Sequence, residues 1–507
     1  MKSKILIFCQ KNWQIIVLTL AGTLLRLYNF RSTLIFLGDQ GRDTIIVRNL
    51  LVNLDPILVG PTTSVGKIQL GPFYYYFMAP WLALANLNPI GPALAIACLG
   101  IITIPVFYLV LKQMFDQKVA LIATILYTFS DVVIANTRGS WNPNPMPLVI
   151  ILLLWSLYKF FGLKKYVYLI LATVLWGISL QLHYMALILG PMTFLIFGLT
   201  IWENKKDLGK IALYAWLGFL SFVVLALPLI VFDFRHNFIN YQGFVEFFVK
   251  GHHSPQGFLT TFRGVEGRLQ QIIGQVLGFE KIRPIRDPLS TVLALVFLVY
   301  AYFHKNNKSI QIIIIYFISC LFGLTLYSSD VYEHYLGFAY PLTFIILGLL
   351  LAWLWQFKKL VSKILVIVIM TALIGVNLYY YRYLRPLGWQ IDDVAKVSQV
   401  IAKDIGSKPF NIILLDDTRD YRGMNYRYFL IQENTDLAAI YSYDEVPTLY
   451  IISQDKLEQT PYIQTWELTS FFGEEVVDNK ILRQKASDLL IQNWYFEGGP
   501  YVYKLEK

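Results

Sequence analysis

Long apolar runs recur along the chain, near 12–30, 90–111, 118–136, 145–162, 165–182, 184–202, 210–232, 288–303, 309–328, 335–356 and 360–381. Each approaches the ~20 residues that a helix needs to cross the hydrocarbon of a bilayer. The pattern predicts a mainly α, polytopic membrane protein with about 11 transmembrane helices. The connections at 112–118, 164–165, 203–210, 304–308 and 358–359 are short and basic. Basic loops stay on the cytoplasmic side. With the N-terminus inside, all five fall there. The connections 31–89, 137–144, 183, 233–287 and 329–334 then face outward, as does everything after Tyr381. The run 71–87 is apolar too, but counting it as a span would turn the basic loops outward. It therefore reads as an interfacial helix on the outer face, started by Pro72, with Tyr74, Tyr75, Tyr76 and Trp81 in the headgroup zone.

The pattern changes after Arg382. Residues 391–406 read as an amphipathic helix with Val394, Val397, Val400, Ile401 and Ile405 on one face. Short buried strands are expected at 411–415, 448–453 and 501–505. The predicted organisation is a transmembrane domain over 1–389, with outer loops 31–89 and 233–287, and a small extracytoplasmic α/β domain over 390–507.

Composition agrees with a lipid solvent. Of 507 residues, 56% are hydrophobic and 15% charged, against about 25% charged in an ordinary soluble domain. The net charge of +10 sits in loops between apolar runs, which excludes a nucleic-acid stripe. Cys9, Cys98 and Cys320 have no metal-ligand spacing and read as small buried apolar residues. The first apolar run lacks an A-x-A cleavage site and contains Arg26, so it reads as a retained span.

The chemistry-bearing residues gather in the outer connections. The first reads Leu37-Gly38-Asp39-Gln40-Gly41-Arg42-Asp43. Asp39 and Asp43 are four apart and share a face if a helix begins there. Such a carboxylate is either a general base or a helix N-cap. Gly60 to Lys67 could cradle a phosphate through backbone N–H groups or be a plain turn-rich loop, but it is not a Walker A motif. Arg138, ahead of Asn142 and Asn144, either holds a phosphate or snorkels to the interface. His183 ends a span beside Gln181 and Tyr184. The long outer loop carries Asp233, His236, Arg263, Arg268, Arg283 and Arg286, a cationic surface or simply solvated charge. Its pair His252-His253 lacks a clear third ligand. Glu333 and His334 enter a later span, as ligands or as anchors.

These stretches together resemble the GT-C superfamily of membrane glycosyltransferases, in its protein O-mannosyltransferase and aminoarabinose-transferase branch, over about residues 10–381. Asp39 occupies the Asp of that family's Asp-Glu pair, and Gln40 replaces the Glu. Gly71-Pro72-Phe73-Tyr74-Tyr75 matches its Pro-Pro-Leu-Tyr-Tyr segment. Arg138 to Asn142 matches an Arg with a polar turn. His183-Tyr184-Met185 replaces a Lys-Gly-Pro element. The resemblance implies inverting transfer of a hexosyl or pentosyl unit from a polyprenyl-phosphate carrier to a hydroxyl of a lipid, glycan or protein, at the outer face of the plasma membrane. It implies Asp39 and Asp43 as catalytic carboxylates, and Arg138, Lys67 and His183 on the donor phosphate. Tyr74, Tyr75, Asn142, Asn144, Glu333 and His334 are expected to bind substrate. No obligatory cofactor is expected, with a divalent metal as the alternative. The competing readings are a polyprenyl-linked lipid or polysaccharide flippase and a non-catalytic scaffold or receptor.

Overall fold

The computed structural model describes residues 2–63, 68–249, 258–274, 283–327, 331–357, 359–386, 388–473 and 478–507. The chain divides into two compact units: Met1–Tyr28, Asp55–Trp81 and Gly91–Arg382 in one; Asn29–Leu54, Leu82–Ile90 and Tyr383–Lys507 in the other.

The first unit is a helical bundle. Among the described residues six helices are long and apolar enough to cross a membrane: Ile90–Met114, Tyr184–Glu203, Lys205–Arg235, Pro284–Phe303, Lys308–Leu326 and Leu360–Tyr379. Shorter apolar helices run over Asn12–Leu27, Gln117–Phe129, Met146–Gly162, Tyr168–Leu182 and Tyr340–Gln356. The chain is a multi-pass membrane protein. Two of its helices start where short polar side chains accept from otherwise unpartnered N–H groups. Asp116 accepts from the Lys118 and Val119 N–H groups, and Asn307 from those of Ser309 and Ile310. The Tyr340–Gln356 helix is apolar all round and buried at every position from Tyr340 to Ala352, as a bundle's central helix must be. Leu360–Tyr379, equally apolar, leaves most of its length uncovered by protein. Cys320 is buried as expected, but Cys98 is exposed. In a membrane helix the surface that no protein covers meets lipid, so an apolar side chain there has no reason to turn inward.

The second unit holds a four-stranded sheet in the order β1-β2-β4-β3. Strand β1 (Phe410–Leu415) pairs in parallel with β2 (Thr448–Ser453). Strand β4 (Tyr501–Glu506) runs antiparallel to both β2 and β3 (Leu490–Tyr495). The parallel pair needs a crossover, and the Met424–Gln432 helix lies in it. Because β1 is covered on both sides, alternate residues feed two cores: Ile412 and Leu414 join Val394, Val397 and Ile401, whereas Ile413 and Leu415 join Leu468, Phe471 and Leu482. The amphipathic helix runs Ile391–Ile405, and its buried positions include Ser398, with Val400 only half-buried. Helical spacing from Val394 reaches 397, 398, 401 and 405, which sets Val400 to one side. Strand β3 was not foreseen. It is an edge strand, mostly exposed, and Gln492 and Asn493 interrupt its apolar pattern.

The residues after the first apolar helix pack in this second unit. Arg31 pairs with Asp392 at 2.9 Å. The Leu34 carbonyl accepts from the Ile391 N–H at 2.9 Å. The Phe36 ring meets Tyr428 and Phe429 edge-on, and its carbonyl accepts from Asn425 Nδ2 at 3.0 Å.

Candidate functional site

In the second unit a helix runs over Gly38–Asn53, placing Asp39 on its first turn. Gln40 is buried and its Oε1 accepts from the Leu37 N–H at 2.9 Å, which closes the start of the helix. Arg42 lies between the two aspartates that helical spacing brings to one face. Its Nη1 donates to Asp39 at 2.8 Å, and its Nε and Nη2 donate to Asp43 Oδ1 at 2.9 and 2.7 Å. The environments of the two carboxylates differ sharply. The Asp43 side chain is 0% exposed and that of Asp39 is 55% exposed. Asp43 is a structural anchor for the guanidinium, and Asp39 keeps an open carboxylate.

The segment 416–425 after β1, a loop that leads into the first turn of the Met424–Gln432 helix, closes on the first turn of the Gly38–Asn53 helix. A Cβ on Gly38 would lie 1.9 Å from Asp420 Oδ2, and one on Gly41 would lie 2.4 Å from both the Asn425 nitrogen and the Met424 oxygen. At Gly41 the obstacles are backbone atoms, so only glycine permits that approach. Asp420 accepts from the Met424 N–H at 3.0 Å. Burial pushes its carboxyl above the usual range, and the negative charges of Asp39 and Asp416 push the same way. Asp416 is also raised, mainly by burial. Neither Asp416 nor Asp420 was among the expected site residues. The available signal was the acidic run Asp416-Asp417-Thr418-Arg419-Asp420 immediately beyond a buried parallel strand, where open α/β sheets place their ligands.

In the helical unit, four separately predicted stretches converge. The Phe73–Leu84 helix begins just after Pro72. The Phe73 N–H donates to Gln181 Oε1 at 3.2 Å, and Tyr74 Oη meets Ser140 Oγ at 2.7 Å. Tyr74 and Tyr75 are both fully buried, whereas Tyr76 and Trp81 are exposed. The 138–144 turn folds on itself through Asn144 Nδ2 to the Gly139 carbonyl at 2.7 Å, and Asn142 Nδ2 reaches the Leu182 carbonyl. Trp141 stacks on His334 with ring centres 4.6 Å apart. The Tyr335 ring lies 4.6 Å from both His183 and His334. Tyr184 and Tyr327 share a hydroxyl hydrogen bond of 2.8 Å, and Arg268 donates to the Tyr327 carbonyl at 2.7 Å. Glu333 is exposed beside this aromatic and imidazole cluster, and its carbonyl accepts from Tyr340 Oη.

Arg138 is buried and donates to the Arg26 and Leu25 carbonyls at 2.7 and 3.3 Å. It covers the last carbonyls of the first apolar helix, where the helix dipole favours a cation. Lys67, His252 and His253 lie outside the described residues. Among the described residues no three of His, Cys, Asp and Glu gather in a group able to hold a metal.

Residues 69–232 match the family model described as dolichyl-phosphate-mannose-protein mannosyltransferase. The chain is similar in fold to ArnT from Cupriavidus metallidurans in the apo state, with a TM-score of 0.61 at 11% identity over 98% of each chain. The same enzyme bound to undecaprenyl phosphate gives 0.59 at 11% identity, over 97% of this chain and 98% of that one. The archaeal oligosaccharyltransferase AglB from Archaeoglobus fulgidus, in complex with an inhibitory peptide and a dolichol-phosphate, gives 0.54 at 12% identity, over 98% of this chain and 74% of that one. Comparison with curated proteins returns no match. The resemblance to the GT-C superfamily read from the sequence holds, and the fold is ArnT-like.

Proposed function

We propose that this chain is an inverting glycosyltransferase that moves a monosaccharide from a polyprenyl-phosphate carrier to a hydroxyl acceptor on the outer face of the membrane. The observation that carries the reading is the open Asp39 carboxylate on the first turn of its helix, oriented by Arg42 while Asp43 is buried. In the reaction the acceptor hydroxyl attacks the anomeric carbon and Asp39 takes its proton. The bond from that carbon to the phosphate oxygen breaks, and the electron pair leaves on the carrier phosphate. Phosphate is already a fair leaving group, so fixed cations suffice to stabilise its developing charge. Arg138 and Lys67 are the proposed cations for it, with His183 as an uncharged hydrogen-bonding contact. Trp141, Asn142, Asn144, Glu333 and His334 are the proposed sugar or acceptor contacts, and their convergence in the helical unit supports that assignment. Tyr74 and Tyr75 act by holding the Phe73–Leu84 helix in place, because their buried rings leave no surface for a ligand.

The carriers named for the similar structures, undecaprenyl phosphate for ArnT and dolichol-phosphate for AglB, support a polyprenyl-phosphate donor. The basic loops support a cytoplasmic N-terminus, with the α/β unit on the opposite side. A monophosphate carrier has little need of a metal, so none is assigned an obligatory role.

The test is incubation of the reconstituted full chain with radiolabelled polyprenyl-phosphate sugars and a fractionated membrane extract. Label moves to one acceptor fraction, and Asp39→Asn abolishes that transfer without changing lipid translocation. Translocation of the carrier with no transfer would replace this reading by the flippase.

A further inference from the structure

We propose that Trp466, Tyr441, Arg422 and Glu467 form a binding site for an uncharged saccharide on the α/β unit. The site gives the hydroxyl acceptor a class, one that carries sugar. That role rests on the glycosyltransferase reading, whereas the binding itself rests on the α/β unit alone.

Three segments supply the site. Arg422 follows β1, Tyr441 precedes β2, and Trp466 and Glu467 lie on the first turn of the Trp466–Phe472 helix beyond β2. The core takes Leu468 and Phe471 from that helix and leaves Trp466 at the surface, 53% exposed, beside Tyr441 at 61%. Both rings are nevertheless held. Trp466 stands edge-on to Tyr441, with centres 6.2 Å apart, and edge-on to the buried Tyr443 at 6.0 Å. The Arg422 guanidinium lies over the Tyr441 ring at 4.6 Å. The backbone of Arg422 is fixed in turn, because its carbonyl accepts from Arg427 Nε at 2.8 Å. Two large rings fixed in the open offer their surface to the apolar face of a ligand.

Glu467 is the second, independent observation. Its side chain is only 9% exposed, and its one charged partner among the described residues is Arg422, with Nε at 3.9 Å. That separation is too long for a hydrogen bond, and Glu467 accepts none from any described residue. A carboxylate accepts and does not donate. One set so deeply costs free energy until donors reach it.

The combination selects a sugar. A pyranose ring presents a face of C–H groups to an aromatic ring, and its hydroxyls both donate and accept. Glu467 takes the donated bonds, and the half-exposed Arg422 gives the returned ones. A cationic ligand would meet Arg422 and an anionic one Glu467, so a neutral ligand is favoured. A lipid surface also attracts exposed Trp and Tyr, but it gains nothing from a recessed carboxylate.

The experiment reads Trp466 alone. The full chain is made with 5-fluorotryptophan and placed in nanodiscs, and the Trp466 fluorine signal is assigned by its loss in Trp466→Phe. Maltotriose, mannotriose and chitotriose are titrated as probes, and at least one moves that signal saturably. Glu467→Gln, which keeps the size, weakens the titration about tenfold or more, while hydrogen exchange over 448–453 stays as in the parent. A Trp466 signal unmoved by all three sugars overturns the proposal, as does one that responds equally in the parent and in Glu467→Gln. A response to tetramethylammonium alone overturns it in favour of a cation cage. Broadening by a headgroup-spin-labelled lipid, with no sugar response, overturns it in favour of a membrane anchor. No polyprenyl-phosphate donor is present, so the outcome is independent of whether Asp39→Asn stops transfer.

Discussion

Replacing Gly41 by alanine tests the seat of the Asp39 helix directly. The added Cβ would stand 2.4 Å from the Asn425 nitrogen, 2.4 Å from the Met424 oxygen and 2.5 Å from the Met424 carbonyl carbon. Comfortable carbon contacts are near 3.5–4.0 Å, so the helix or the loop must retreat by about 1 Å. All three obstacles are backbone atoms, and no rotamer change relieves them. A retreat of that size strains the bond from Asn425 Nδ2 to the Phe36 carbonyl, now 3.0 Å. Overpacking costs about 1–3 kcal/mol and a lost hydrogen bond about 0.5–1.5 kcal/mol. Alanine returns about 0.5–1 kcal/mol through its better helix propensity. The net is about 0.5–4 kcal/mol, a factor of about 2 to 800 in the opening equilibrium. Hydrogen exchange of amides 42–53 in the intact membrane protein reads that factor. Gly198→Ala, whose new methyl meets nothing within 4 Å, serves as the control and leaves those amides unchanged. Unaltered protection over 42–53 in Gly41→Ala would refute the close-approach argument.

Gly38→Ala is milder in stability than Gly41→Ala, because its obstacle is the Asp420 side chain, which can swing aside; hydrogen exchange over the same amides ranks the two. Asp39→Asn lowers the rate of sugar transfer by about 10²–10⁴-fold with the α/β unit still folded, and near-native transfer would remove Asp39 from the mechanism. Burial raises both Asp416 and Asp420 above their ordinary values near 4. A raised folded-state value means that their contribution to stability is fully present below about pH 4 and is lost as pH climbs through the raised values. The difference in protection of β1 between Asp420→Asn and the parent therefore favours the variant at neutral pH and vanishes toward pH 4; a difference independent of pH would contradict this. Tyr74→Phe strands the buried Ser140 hydroxyl and costs about 1–3 kcal/mol in thermal unfolding. The double variant Tyr74→Phe/Ser140→Ala regains most of that loss, and simple additivity of the two would argue against their pairing.

Much of the architecture was readable from residue order, for a definite reason. An apolar helix in lipid satisfies its own backbone hydrogen bonds, so each span is announced by its own residues, without reference to the rest of the chain. Strands β1 and β2 were legible in the same way, as short apolar runs covered on both faces. Strand β3 was not, because an exposed edge strand owes its existence to a neighbour rather than to its own pattern. The carboxylates of the first loop divide along the same line. Their type and their spacing of four came from the sequence. Which of them is open was settled by Arg42 and the surrounding core, which bury Asp43 and leave Asp39 exposed. Nothing local to residues 29–54 announces that they pack with residues 383–507, or that Asp420 comes to stand beside Asp39. Local pattern records the solvent that each segment meets. Which distant side chains share a site is chosen by packing between elements, and here two glycines too small to hold the loop away made that choice.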